Sequence, residues 1–170
     1  PERIAGLVLN DAGPELDPVG LARIAQYAGK LQPVTSWQDA ALQMRTTYGA
    51  ALPGLSDAQW LEYAHKSFRE SADGAPIPDS DPKIGDALRA ADTAPQNMWP
   101  VYQMILQTPT LVIRGEHSDI LSAETVARMA RGKPDLRTVT VANRGHAPLL
   151  NEPECLPVID HFLADIAQQR

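Results

Sequence analysis

The sequence holds a single cysteine, Cys155. One thiol cannot close a disulfide within the chain, and such sparing use fits a reducing, cytoplasmic compartment. Cys155 falls early in a helical stretch and reads as a small packing residue. No cluster of basic residues occurs either. With a net charge of −6 and an isoelectric point near 5.1, the chain is not expected to bind nucleic acid or an anionic membrane surface. No apolar run reaches the length of a membrane span. Internal repeats and low-complexity tracts are absent as well. What remains is an ordinary globular composition, 44% hydrophobic and 21% charged over 170 residues, enough for a sizeable core.

The stretch from Thr108 to Pro148 organises the rest. Leu111, Val112 and Ile113 form an apolar run between Pro109 and Gly115, the mark of a buried strand. A continuous apolar strand suits a parallel sheet covered on both faces. Asp119 follows just past its carboxyl end. A helix over Ser122–Arg131, a strand over Arg137–Val141 and then Gly145-His146 come next. An Asp and a His thus each sit on a loop after a strand, the edge where open α/β sheets build their sites.

The order Gly115-Glu-His-Ser-Asp119, then Gly145-His146-Ala-Pro, then Asn151-Glu-Pro-Glu resembles the C-terminal half of the α/β-hydrolase family. The opening Pro-Glu-Arg-Ile-Ala-Gly-Leu-Val-Leu-Asn is similar to that family's entry into its sixth strand. The resemblance implies an α/β fold: three parallel strands with flanking helices, plus an inserted helical cap. It divides the chain into a core strand over 1–13, a cap over 14–107, and the rest of the core over 108–170. It also implies a triad in the order nucleophile, acid, His. On this reading His146 is the general base, and Asp119 orients it and stabilises the imidazolium. Asp11, just past the first strand, competes for the role of acid, as in certain haloalkane dehalogenases. The plainer reading of Asp11 is a cap on the turn into the inserted segment. Asp119 is preferred because its loop fits better.

The family's Gly-x-Ser-x-Gly does not occur in these 170 residues, nor does an early His-Gly loop for an oxyanion hole. The chain therefore reads as the second half of a larger hydrolase. Its expected partners are a small-molecule substrate and a missing N-terminal half, or a second chain, that carries the nucleophile. The implied reaction is cleavage of an ester, lactone or related acyl bond without a cofactor. Dehalogenation by an Asp nucleophile, carbon–carbon hydrolysis, and a non-catalytic fragment or binding relic are the alternatives. A free-standing half would expose an apolar strand edge at Ile4–Leu9 and dissolve poorly.

Along the chain, helices are expected from Asp17-Pro18 to Ala28, from Ser36 to Tyr48, and from Ser56 to Arg69. Gly74–Pro82 reads as loop, and Lys83–Ala91 is weakly patterned. Pro95 is expected to start a helix over Met98–Leu106. Asn151 and Glu154 suggest a capping box for a last helix, with Leu156, Ile159, Phe162 and Ile166 facing the sheet. Trp37, Trp60, Trp99, Met44, Met98 and Met104 are candidates for an apolar pocket, Trp99 first among them because it leads into the strand before Asp119. His117 is a second candidate near Asp119. A metal held by His117, Asp119 and His146 has no paired-ligand motif behind it, so none is expected. His65 and His161 read as surface or packing residues.

Overall fold

A computed structural model describes residues 3–90 and 97–168, the side chains of 87, 88 and 90 aside. Pro1, Ala91 and Pro95, named above, lie outside the described residues. In chain order the elements are β1 (Leu7–Asn10), α1 (Pro18–Tyr27), α2 (Trp37–Tyr48), α3 (Asp57–Ser67), β2 (Phe68–Glu70) and β3 (Pro76–Pro78). They continue with α4 (Lys83–Ala90), α5 (Trp99–Gln103), β4 (Thr110–Gly115), α6 (Ala123–Gly132), β5 (Arg137–Val141) and α7 (Cys155–Gln168). The described residues fall into two compact units, one of 3–20 with 97–168, the other of 21–90.

The first unit is a parallel sheet in the order β1-β4-β5, with Leu9 opposite Val112 and Ile113 opposite Val139. Leu111, Val112 and Ile113 are fully buried because β4 lies between its two neighbours. Side chains alternate across a strand, so Leu111 and Ile113 face one layer and Val112 the other. Leu111 and Ile113 join Val141, Cys155 and Phe162 beneath α7. Val112 joins Tyr102, Leu121 and Met129 from the α5 and α6 side. This is the expected sheet with helices on both faces. On its outer side β1 pairs with no strand among the described residues. On the face that carries Val112, α5 packs with the sheet, and Met98 N–H donates to the Pro14 carbonyl at 2.9 Å.

Local chemistry sets the helix starts. Ser36, Ser56 and Ser122 each accept the N–H three residues on, and Ser56 with Gln59 closes a capping box. The Asp17 carboxylate accepts from Val19 N–H at 2.8 Å at the start of α1. The last helix departs from expectation. It begins at Cys155, so Asn151 does not cap it, and Glu154 instead accepts from Ala142 N–H at 3.3 Å. Leu156 points outward, 49% exposed, while Cys155, Val158, Ile159, Phe162 and Ile166 face the sheet. Burial, with Glu152 adding to it, pushes the Cys155 thiol up to about 12, which makes it an inert packing group.

The second unit is mostly helical. The helix expected to reach Arg69 stops at Ser67, and Phe68–Glu70 pairs antiparallel with Pro76–Pro78. A turn decides this: Ser71 N–H reaches the Ala75 carbonyl at 2.9 Å, and Gly74 takes a left-handed φ of 80°. Proline is tolerated in such a two-stranded ribbon because it has outward positions that need no N–H. Buried Phe68 anchors the ribbon. Lys83–Ala90, weak in pattern, is helical; Asp81 accepts from Lys83 N–H at 2.8 Å at its start. Tyr27, Tyr48 and Tyr63, one from each of α1, α2 and α3, meet in sequence, the first pair edge-on and the second tilted, with centroids 5.2 and 5.8 Å apart. Burial, reinforced by the neighbouring phenols, raises Tyr48 to about 12. Among the described residues no helix is long and apolar enough to cross a membrane.

Candidate active site

The site lies at the carboxyl edge of the sheet, where three loops meet. β1 and β4 run side by side, so the residues just beyond each end are neighbours. Asp11 N–H extends the ladder by one bond, to the Ile113 carbonyl at 2.6 Å. Asp11 then turns the chain with a left-handed φ of 53°, which Asp tolerates better than most residues. Its side chain is 0% exposed.

Each oxygen of that carboxylate is held. Oδ1 accepts from Gly115 N–H at 2.9 Å. Oδ2 accepts from the Ser118 hydroxyl at 2.6 Å and lies 2.9 Å from Nδ1 of His146. In the neutral imidazole, a carboxylate acceptor at this position makes Nδ1 the donor and leaves the lone pair on Nε2. The His146 side chain is 26% exposed, open enough to exchange a proton with a bound molecule. The acid facing His146 is therefore Asp11, not Asp119 as the loop pattern suggests. The pattern placed an acid after a strand, and both residues satisfy it. In the folded chain it is Ser118 that faces the site. Asp119 comes one residue later, with an exposed side chain and its carbonyl against Gly20, where a Cβ would come within 2.1 Å.

The loop carrying His146 is fastened from both flanks. Glu152, 5% exposed, accepts on one oxygen from Arg144 Nε at 2.9 Å and from Leu149 N–H at 3.0 Å. Burial alone would raise this carboxyl. The N–H groups of Leu149 and Glu152 and the Arg144 guanidinium outweigh burial and hold it below the ordinary range. Gly115 lets the two loops touch: a Cβ there would lie 2.5 Å from the Gly145 carbonyl. Asn10 also reaches across, donating from Nδ2 to the Pro148 carbonyl at 3.0 Å.

The other sequence candidates have the following surroundings within their own units. Trp99 packs edge-on against Tyr102, with Arg128 over its ring at 4.0 Å, and its Nε1 donates to Glu15 at 3.0 Å. Met98 and Met104 are exposed, and Met44 and Trp60 are buried. Trp37 stacks on exposed His65 at 3.9 Å. His117 is exposed, 3.8 Å from the Glu116 carboxylate, and His161 is exposed on α7. Among the described residues no group of three potential metal ligands gathers. Sequence reasoning passed over Ser118 and Glu152. A polar residue between Gly115 and the apolar pair Ile120-Leu121 was the available signal for the first.

A parallel sheet with helices on both faces, joining an Asp loop to a His loop at its carboxyl edge, is the build of an α/β hydrolase core. The comparisons with known proteins agree. The chain is 40% identical to an α/β hydrolase from Novosphingobium aromaticivorans, at a TM-score of 0.85, covering 95% of this chain and 57% of that one. It is 30% identical to a 3-hydroxybutyrate-oligomer hydrolase of Cupriavidus necator, over 92% of this chain and 55% of that protein. E-2-(acetamidomethylene)succinate hydrolase, 23% identical with a TM-score of 0.70 over 94% of this chain and 57% of that one, shares the fold. No family model matches the sequence. This chain has the α/β-hydrolase fold, and it spans somewhat more than half the length of the relatives it matches.

Proposed function

We propose that this chain supplies the acid and the base of a hydrolase that cleaves an ester, lactone or related acyl bond in a small, partly apolar molecule. The observation that carries this reading is the Asp11–His146 contact of 2.9 Å at the carboxyl edge of the sheet. The ester chemistry of the Cupriavidus necator relative supports the substrate class.

With Nδ1 donating to Asp11, Nε2 of His146 takes the proton of a serine hydroxyl as that oxygen attacks the acyl carbon. The imidazolium so formed is stabilised by the Asp11 carboxylate, then gives its proton to the departing alkoxide. Water repeats the sequence on the acyl-enzyme and releases the acid. The nucleophile comes from polypeptide outside these 170 residues, since no Gly-x-Ser-x-Gly is present. Asp11 also stands where certain haloalkane dehalogenases carry their acid, which favours an Asp nucleophile and halide release as the second reading.

Intact mass under denaturing conditions and ester turnover test this together. A species well above 18.5 kDa, or a second co-purifying chain, with p-nitrophenyl ester hydrolysis lost in Asp11→Asn and His146→Ala, is the expected result. Halide release from a bromoalkane without ester turnover selects the second reading. A single 18.5 kDa species inert toward both substrates overturns the proposal in favour of a non-catalytic role.

A further inference from the structure

We infer that Ser118 is a positioning residue for the Asp11–His146 pair, holding one carboxylate oxygen in front of the imidazole. The inference rests on the hydrolase reading above and adds to it a residue that acts through the Asp11 carboxylate.

A serine hydroxyl has one proton and two lone pairs. In Ser118 the lone pairs face Ile120 N–H at 3.1 Å and Leu121 N–H at 3.0 Å. The proton is left for Asp11 Oδ2, 2.6 Å away. The hydroxyl therefore cannot turn round and accept from a neighbour. It donates to the same oxygen that meets His146 Nδ1. Gly115 N–H holds the other oxygen, so the carboxylate is fixed at both ends and cannot rotate about its terminal torsion. A residue needed only to close a turn would satisfy the two amides and no more. Ser118 also binds a fully buried carboxylate that arrives from a different strand end.

The consequence is chemical. While Oδ2 is held toward Nδ1, the neutral imidazole carries its proton there and Nε2 stays free to act as a base. Without the hydroxyl, Oδ2 can swing away. The imidazole then spends part of its time protonated on Nε2, where it cannot accept a proton. Turnover falls while substrate binding does not.

The experiment compares Ser118→Ala, Ser118→Thr and Asp11→Asn in the natively expressed protein. Nitrogen-15 NMR of labelled histidine reports the His146 tautomer, and ester turnover reports kcat and KM. Wild type and Ser118→Thr are expected to show the proton on Nδ1. Ser118→Ala is expected to mix the tautomers and to lose about 10- to 100-fold in kcat at unchanged KM, the range for a lost hydrogen bond to a charged group. An Ala variant with the wild-type tautomer and kcat overturns the assignment. So does one that loses only thermal stability. If Ser118→Ala does not fold, Ser118→Cys, of similar shape and a weaker donor, decides in its place: an intermediate tautomer signal supports the inference, and a wild-type signal overturns it. Asp11→Asn separates the two readings. Full turnover there removes the hydrolase reading itself, whereas an inactive Asp11→Asn beside a fully active Ser118→Ala removes only the role of Ser118.

Discussion

Replacing Glu152 with alanine should loosen the loop that holds His146. Glu152 Oε1 binds the chain on both sides of the histidine, at Arg144 and at Leu149. Removal takes the carboxylate from a guanidinium whose side chain is only 15% exposed. It also leaves the Leu149 N–H without its acceptor. An orphaned buried donor costs about 1–3 kcal/mol. Breaking a buried ion pair costs about 3–5 kcal/mol. The two costs describe overlapping events, so the expected total is about 3–5 kcal/mol rather than their sum. At roughly 2–4 °C per kcal/mol for a protein of this size, Tm should fall by about 6–20 °C. Glu152→Gln keeps an acceptor for Leu149 and loses the charge, so it should fall by about half as much. Scanning calorimetry at neutral pH checks both. The pH dependence is a second check. The folded carboxyl lies below its ordinary value of 4.5, so its contribution is complete above that value and disappears as pH falls through the folded one. The gap in Tm between wild type and Glu152→Gln should therefore be constant near neutrality and close below about pH 4.5. A Tm drop under about 3 °C for Glu152→Ala, or a gap that does not change in acid, would refute the clasp.

Two further outcomes follow from the packing. Gly115→Ala puts a methyl group 2.5 Å from the Gly145 carbonyl, so the loops must part; it should cost about 1–3 kcal/mol and weaken the Asp11–His146 contact, seen as a lower Tm and a shifted His146 NMR signal. Cys155, with its thiol raised to about 12, should resist a thiol reagent at pH 8 and react at once in denaturant; rapid labelling of the native protein would contradict its burial.

Much of this structure was legible in local sequence. The β4 run, the strand at Arg137–Val141 and the serine caps depend on residues a few positions apart, where sterics and hydrogen bonding act within one segment. The place of His146 on the loop after β5 was legible too, because a Gly-His pair after a strand is a short pattern. The β2–β3 hairpin was not. Its strands are three residues each, and what ends α3 is a turn that closes only when Ser71 meets Ala75.

The sequence by itself determined that an acid and a histidine would stand at the carboxyl ends of parallel strands, because β-strand patterning and loop residues specify which side chains follow each strand. It could not determine which acid. Asp11 and Asp119 both follow strands, and their local sequences do not say which one reaches His146. Only the tertiary structure chose Asp11. Pairing of β1 with β4 brought its carboxylate to the Gly115 amide and the Ser118 hydroxyl, and a buried carboxylate persists where such donors satisfy its charge.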